Sequence, residues 1–245
     1  MRYLTISWDD GFARSMLKMA YIYEKFGLKA EINVLATAHE KNSRLPEMMA
    51  ADAPWGAPYG DFGLWNELQA RGHVVQPHGL DHTDKTSIPL AQAQEKILRC
   101  LEIFTRELKG FDARQAIFNF PYNASTPELE SWLPSVVRAF RGGPGPALNP
   151  LPKPGTVAIR TGGWEDAEPW LDKTLADLQA APEGWLVYNA HGLDGEGWGP
   201  LRSEFLERTL DHLLQHTDVV ILPAREVLGV GGQSVDERKS RSVNE

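Results

Sequence analysis

Ser7-Trp8-Asp9-Asp10-Gly11-Phe12 is the segment of this chain that says most about its fold and its chemistry. It follows the run Tyr3-Leu4-Thr5-Ile6, which is typical of a first β-strand. In a straight strand Asp9 and Asp10 would point to opposite faces, so both reach one site only if the backbone turns at Gly11. Two adjacent carboxylates repel each other unless one meets a cation or holds a proton. The pair therefore predicts either a metal ligand beside a base or two carboxylates that cap the following helix.

A second group of metal-binding residue types lies in His78-Gly79-Leu80-Asp81-His82. In a helix this spacing would put two imidazoles roughly 6 Å apart along the axis and on nearly one face. Pro77 and Gly79 favour a tight turn instead. Together with one carboxylate of the Asp pair, the two imidazoles make three ligands for a divalent metal. The alternative is that His82 caps or packs while His78 is solvated.

The composition excludes several classes of protein. The chain has 245 residues, of which 42% are hydrophobic and 24% charged, as in ordinary globular proteins. Its net charge is −8 and it has no basic cluster, so neither nucleic acid nor an anionic membrane is expected as a partner. Cys100 is the only cysteine, which excludes an intrachain disulfide and a cysteine-based zinc cluster.

The chain ends suggest a location and a domain boundary. The N-terminus enters the first strand without a signal-peptide pattern, and no apolar run approaches membrane-spanning length, so the expected location is the cytoplasm. Residues 1–230 are expected to form one catalytic domain. Residues 231–245 are polar and charged and are predicted to be a disordered tail.

Strand-like and helix-like segments alternate along the chain. The predicted strands cover residues 3–8, 30–35, 73–76, 115–118, 156–160, 184–189 and 218–222. The predicted helices cover residues 14–26, 62–71, 89–108, 127–140, 169–181, 201–215 and 223–228. Residues 36–60 are predicted to be irregular and 142–155 a surface connection. About seven βα units in series imply a mostly parallel sheet, coiled into a barrel or doubly wound.

Potential functional side chains follow the carboxyl ends of the predicted strands. In chain order they are Asp9 and Asp10, His78 and His82, Tyr122, Trp164 and His191. Catalytic groups of α/β barrels gather at this rim. The pattern therefore indicates an enzyme, and an Asp–His–His ligand set with a spare carboxylate favours a hydrolase.

Three further residues each allow two interpretations. Tyr122 follows Pro121 and either lines a substrate groove, with its backbone N–H facing a developing oxyanion, or belongs to the core. His191 follows a buried strand and is either a general acid or a structural histidine. Trp198 lies in a glycine-rich loop and either stacks on a sugar ring or packs over the barrel end.

The motifs together resemble those of the polysaccharide deacetylases, the NodB-homology group of carbohydrate esterase family 4. Ser7-Trp8-Asp9-Asp10-Gly11 corresponds to the family's first motif, and His78 with His82 to its second. Asn119-Phe120-Pro121-Tyr122 matches the third motif in part, and Tyr188-Asn189-Ala190-His191 matches the last loosely. The resemblance implies a distorted (β/α)7 barrel and metal-dependent hydrolysis of an N-acetyl group on a sugar.

The resemblance also assigns roles. Asp10, His78 and His82 are expected to bind a divalent metal, with zinc as the first choice. Asp9 is expected to take the proton of a metal-bound water, and His191 to protonate the departing amine. The residues expected to contact the substrate are Tyr122, Trp164 and Trp198.

This chain departs from the family pattern at two places. Asn119 stands where the family usually has an arginine that orients the base, and residues 160–166 match the fourth motif poorly. Arg160 is the hypothetical replacement for that arginine. We expect a small molecule or soluble oligosaccharide as substrate; the sequence gives no oligomeric state. The alternatives are a hydrolase of a non-sugar cyclic amide or ureide, or a catalytically silent carbohydrate-binding homologue.

Overall fold

The computed structural model describes residues 1–44, 58–143, 147–163 and 165–230 of the chain. The strands are β1 (Arg2–Trp8), β2 (Glu31–Val34), β3 (Val74–Pro77), β4 (Ile117–Asn119), β5 (Ala139–Arg141), β6 (Leu148–Asn149), β7 (Ala158–Ile159), β8 (Gly184–Ala190) and β9 (Val219–Ile221). The helices are α1 (Ala13–Lys25), α2 (Phe62–Ala70), α3 (Leu90–Glu107), α4 (Pro127–Trp132), α5 (Ala167–Ala180), α6 (Ser203–His216) and α7 (Ala224–Val230). The predicted tail and the middle of the segment predicted to be irregular lie outside the described residues.

Strand β1 is the centre of the larger sheet, whose order is β3-β2-β1-β8-β6 with β9 also on β1. Along its whole length β1 pairs in parallel with β8. On its other side it pairs with β9 at Arg2–Leu4 and with β2 at Ser7–Trp8. On this side of β1 the sheet therefore splits into two branches, with β9 beside the start of β1 and β2 beside its end. Among the described strands of this sheet, only β6, which pairs with β8, runs antiparallel.

A second parallel sheet, β4-β5-β7, completes the barrel. Where β3 approaches β4, the side chain of Gln76 accepts a hydrogen bond from the backbone N–H of Ile117 at 2.9 Å. At the other end, a bridge between Gly162 and Tyr188 joins the second sheet to β8. Side-chain and single-bridge contacts thus replace continuous ladders at the two seams, and the architecture is the expected distorted α/β barrel.

The alternation of side chains along β1 determines what lies inside the barrel. Leu4, Ile6 and Trp8 belong to the large apolar cluster between sheet and helices. Tyr3 belongs to a separate cluster with Trp185 of β8. Because neighbours in a strand point to opposite faces, the odd-numbered residues of β1 share the interior face. From bottom to top this interior column is Tyr3, Thr5, Ser7 and Asp9, and its polar end reaches the rim.

The helix predicted over residues 127–140 is wrong in its second half. Helix α4 ends at Trp132, a 3-10 turn covers Leu133–Ser135, and strand β5 follows. Pro134 lacks a backbone N–H and cannot donate to the Glu130 carbonyl, so the series of α-helical hydrogen bonds stops after Leu133, which is itself still helical. The chain is thereby free to add a strand that the sequence pattern did not indicate. Strand β6 was also absent from the prediction.

No helix in the described part of the chain combines the length and the apolar character that crossing a bilayer requires.

Candidate active site

The Asp pair lies at a sharp turn directly after β1. Asp9 continues the strand, its N–H donating to the Ala190 carbonyl at 2.8 Å. The backbone then turns, with φ of 73° at Asp10 and 87° at Gly11. A left-handed conformation at a non-glycine residue is strained and is typical of functional sites. The turn directs Asp9 into the barrel interior and Asp10 towards the rim, so both carboxylates reach one site.

Asp10, His78 and His82 come together as the sequence predicts. Oδ1 of Asp10 lies 3.2 Å from Nε2 of His82 and 3.5 Å from Nε2 of His78. One ligand atom from each of the three residues lies within 4.8 Å of the others. The His-x-x-x-His segment is not helical; positive φ values at Gly79 (105°) and His82 (60°) form the tight turn expected from the sequence.

The donor set fits a divalent cation. Oδ1 of Asp10 is buried and accepts no hydrogen bond from the described residues. The other ring nitrogen of His78, Nδ1, lies 3.0 Å from the Asn119 carbonyl oxygen. Because a carbonyl only accepts, Nδ1 carries the proton and Nε2 presents its lone pair to the cluster. Two imidazole nitrogens and a carboxylate oxygen suit zinc and related metals.

The electrostatics keep Asp10 ionised. Burial by itself would raise the pKa of this carboxyl, but contacts with His78 and His82 outweigh burial and hold the pKa well below its usual range. A permanently charged carboxylate is what a metal ligand requires.

Asp9 is held in place by three donors. Its Oδ1 accepts from Nδ2 of Asn33 at 2.8 Å. Its Oδ2 accepts from Nδ2 of Asn189 at 2.8 Å and from Nη2 of Arg141. Burial would raise the Asp9 pKa, but the charge of Arg141, assisted by His78 and His191, lowers it below its ordinary value. Of about four lone-pair sites on a carboxylate, three are occupied and one is left to take a proton.

His191 and Trp198 form the opposite side of the site. His191 follows β8, and its ring centroid lies 5.3 Å from that of Trp198 in an edge-on arrangement. Burial lowers the pKa of His191, while the charges of Asp10 and Asp9 act in the raising sense. The indole of Trp198 is 37% exposed, so it offers a face to a ligand.

Two tyrosines line the mouth of the site. Tyr122 has φ of 60°, and its ring is 65% exposed and packs edge-on against His82 at a centroid distance of 4.5 Å. Tyr59 stacks on Phe12 at 5.2 Å, and burial together with the Asp10 charge raises its pKa. Sequence reasoning missed Tyr59 because it lies in a long irregular segment. Trp164, the third predicted substrate contact, lies outside the described residues.

Comparisons with known proteins place this geometry in context. No family model and no curated protein matches the sequence. Solved structures do match, and one is the peptidoglycan deacetylase PdaC from Bacillus subtilis, at 15% identity and a TM-score of 0.57 over 99% of this chain and 95% of that one. The chain has the NodB fold of carbohydrate esterase family 4.

Other proteins of similar structure have different activities. Puue allantoinase matches at 14% identity and a TM-score of 0.62, over 89% of this chain and 72% of that one. A family 4 pseudoenzyme from Bacillus anthracis matches at 13% identity and a TM-score of 0.56, over 93% of this chain and 65% of that one. At these identities the likeness establishes the NodB fold and leaves the activity to be argued from the site.

Within this NodB fold, the arginine beside Asp9 comes from an unexpected strand. Arg160, the hypothetical replacement, instead pairs with Glu130 through two contacts of 2.9 Å and donates to the Gly142 carbonyl. Arg141 on β5 makes the contact with Asp9 and is almost fully buried. The Arg160 hypothesis is therefore wrong, because the Glu130 carboxylate holds its guanidinium away from the barrel interior.

Asn119 has a supporting position in the same network. Its side-chain amide donates to Oδ1 of Asn33 at 2.9 Å, which leaves the Asn33 amide free to donate to Asp9. Its carbonyl oxygen accepts the hydrogen bond from the Nδ1–H of His78. This residue thus orients one partner of the candidate base and one candidate metal ligand.

Proposed function

We propose that this protein is a metal-dependent hydrolase that removes an N-acetyl group from a sugar or soluble oligosaccharide, with zinc as the first candidate metal. The observation that carries the proposal is the partly buried Asp10–His78–His82 cluster with a separately held carboxylate, Asp9, beside it. A binding module has no need of a second carboxylate fixed by three donors. When bound, the divalent cation would supply Lewis-acid chemistry, lowering the pKa of water and polarising the acyl oxygen.

The protein residues then divide the proton transfers between them. Asp9 uses its remaining lone-pair site to accept a proton from the attacking water, and the water oxygen forms a bond to the amide carbon. The backbone N–H of Tyr122 donates to the carbonyl oxygen as that oxygen gains negative charge. The C–N bond breaks as His191 protonates the nitrogen. The products are acetate and a free amine.

The aromatic rim supports a ring-shaped substrate. Tyr122 and Trp198 expose ring faces on two sides of the site, and such faces pack well against the apolar face of a sugar. A neutral oligosaccharide also suits a chain with a net charge of −8 better than a polyanion does.

A cyclic ureide is the second candidate substrate. The similarity to an allantoinase and the absence of an arginine at Asn119 both favour it over other non-sugar amides. Opening a cyclic ureide breaks a C–N bond by the same use of Asp9 and the cluster, but releases no acetate.

The test is an assay of purified full-length protein, depleted with a chelator and reloaded with Zn²⁺, Co²⁺, Ni²⁺ or Mn²⁺. Acetate release is measured on N-acetylglucosamine oligomers and ring opening on allantoin. The number of metal ions bound per chain is measured in a His212→Ala/His216→Ala variant. Those two exposed histidines on α6 have ring centroids only 5.1 Å apart and can chelate metal themselves.

The expected result is one metal per chain and metal-dependent acetate release. Asp10→Ala is expected to lose both metal and turnover, whereas Asp9→Asn keeps the metal and loses turnover by about 100-fold or more. Ring opening without acetate release would replace the sugar substrate by the ureide. Full metal loading with neither activity would leave a silent homologue and refute the hydrolase.

A further inference from the structure

Glu31 on β2 is a buried carboxylate that the proposed reaction does not use. It is only 1% exposed. Its Oε2 accepts from the backbone N–H of Ala224 at 2.7 Å, and its Oε1 lies 3.1 Å from Oγ of Ser7. An ionised carboxylate in a barrel interior costs free energy. Glu31 nevertheless lies on the interior face of β2, two residues from Asn33, which indicates a role there.

The hydroxyl of Ser7 connects Glu31 to the candidate base. Oγ of Ser7 accepts from Nδ2 of Asn33 at 2.7 Å and from Nη1 of Arg141 at 3.0 Å. A hydroxyl has two acceptor lone pairs and one proton. Both lone pairs of the Ser7 oxygen are occupied, so its O–H donates a hydrogen bond to Glu31. Glu31 therefore accepts hydrogen bonds at both of its carboxylate oxygens.

Arg141 depends on this serine for its orientation. Its Nη2 donates to Asp9 and its Nη1 to Ser7, while its Nε is buried without a hydrogen-bond partner among the described residues. The Ser7 contact is therefore the second of two anchors that fix the plane of the guanidinium. A guanidinium fixed at two points presents its N–H groups in a defined direction.

We propose that Glu31 is a positioning residue for the hydrolysis. By accepting the hydrogen bond of the Ser7 hydroxyl it fixes Arg141, and Arg141 in turn holds the Asp9 carboxylate in its working orientation. The proposal rests on the proposed function in so far as Asp9 is the base. Glu31 itself touches neither the metal ligands nor the substrate site.

Protonation of Glu31 would break this chain of contacts. A protonated Oε1 needs an acceptor, and its neighbour there, Oγ of Ser7, has no lone pair left. The new proton therefore displaces Asn33 or Arg141 from Ser7. Burial raises the pKa of Glu31 to about 7, against the lowering effect of the Ala224 N–H and the Arg141 charge. The other charged or titratable groups that face Glu31 are Asp9 and Tyr23.

The experiment compares Glu31→Gln, Ser7→Ala and their double variant with a matched control, Thr5→Val. Thr5 is an equally buried hydroxyl on the same face of β1, two residues further from Asp9. The measurements are kcat and KM between pH 5.5 and 9, Zn²⁺ affinity by calorimetry, and a crystal structure of Glu31→Gln.

The proposal predicts a specific combination of results. Glu31→Gln lowers kcat about tenfold, the lower range for the loss of an outer-shell partner, while KM and Zn²⁺ affinity stay within about twofold. Wild-type kcat falls as the pH drops through about 7, and Glu31→Gln removes that inflection. The double variant is no slower than Ser7→Ala, because both changes break the same path. Thr5→Val keeps wild-type kcat.

Three results would overturn the proposal: an unchanged kcat in Glu31→Gln, additive losses in the double variant, or an equal loss in Thr5→Val. If the wild-type protein hydrolyses none of the substrates, the proposed function fails and the crystal structure alone decides the role of Glu31. A displaced Arg141 in Glu31→Gln then supports the positioning role, and an Arg141 still on Asp9 refutes it.

Discussion

Arg141 donates from β5 to Oδ2 of Asp9, which directly follows β1, across the barrel interior and over a sequence separation of 132 residues. Both side chains are buried, at 1% and 2% exposure, so the pair is shielded from solvent and from salt. Removal of one partner from such a pair leaves the other charge buried and uncompensated. This contact therefore links the stability of the barrel to the orientation of the candidate base.

Arg141→Met should destabilise the protein and stop turnover. We expect a loss of about 3–5 kcal/mol in the free energy of unfolding, measured by urea denaturation, because the Asp9 carboxylate loses its charge partner. Arg160→Met is the matched control. Its ion pair with Glu130 is partly solvated, so we expect a loss of about 1 kcal/mol and normal kcat. Loss of turnover in Arg160→Met with normal turnover in Arg141→Met would restore the hypothesis drawn from the sequence.

The candidate metal centre should be measurable without any substrate. Zn²⁺ at 100 times its Kd stabilises the native state by about 2.7 kcal/mol. For a chain of this length that corresponds to a rise in Tm of about 5–10 °C, read by calorimetry after chelator treatment. His82→Ala should abolish the rise, whereas His212→Ala should keep it. Equal rises in both variants would mean that the cation binds elsewhere.

The sequence contained enough information to find the residues of the candidate metal centre but not the network beneath them. Asp10, His78, His82 and His191 follow strands, and the carboxyl ends of parallel strands share one rim, so spacing and strand order were sufficient. Arg141 was missed because it ends a three-residue strand inside a segment with helical spacing. Short strands are specified by their neighbours in the barrel more than by their own residues.

Glu31 and Asn33 illustrate a second limit of the sequence. They alternate with apolar residues along β2, a pattern that usually indicates a solvent-facing side. In this barrel helices cover the outside, so the polar face of β2 turns inward to Ser7 and Asp9. Which face is buried depends on closure of the barrel, and no local pattern records that.

Glu31 should make stability depend on pH in the direction opposite to most carboxylates. Its pKa is raised from 4.5 to about 7 by burial, so the folded state binds this proton more tightly than the unfolded chain. Its contribution is therefore present below pH 4.5 and is lost as the pH rises through 7, by about 3 kcal/mol. Glu31→Gln lacks this loss.

The measurement is urea unfolding of both proteins at pH 5 and pH 8. Relative to wild type, Glu31→Gln should gain about 2.5 kcal/mol between the two conditions. Asp9 and Asp10, with lowered pKa values, lose their contribution only at lower pH and cancel in the comparison. Parallel pH dependence in the two proteins would show that Glu31 is already ionised at pH 5.

Tyr122 should contribute to substrate binding through its ring. The ring is exposed and packs on His82 beside the cluster, so Tyr122→Ala removes a contact surface without opening the core. We expect KM to rise about fivefold, equivalent to ~1 kcal/mol, with a small change in kcat. Tyr122→Phe keeps the ring and should keep KM. If Tyr122→Phe raised KM as much as Tyr122→Ala does, the hydroxyl and not the ring would be the group that binds substrate.

The effect of His191 on the rate should depend on how strongly the leaving group requires protonation. An amine must be protonated as the C–N bond breaks, whereas the phenol of an activated aryl acetate leaves as a stable phenolate anion. We expect His191→Ala to slow an N-acetyl sugar about 100-fold and an aryl acetate only about threefold. Since burial lowers the His191 pKa below 6.5, the wild-type kcat/KM for the amide should fall as the pH rises through that lowered pKa. The variant should lack this fall. Equal slowing of both substrates would mean that His191 shapes the site without transferring a proton.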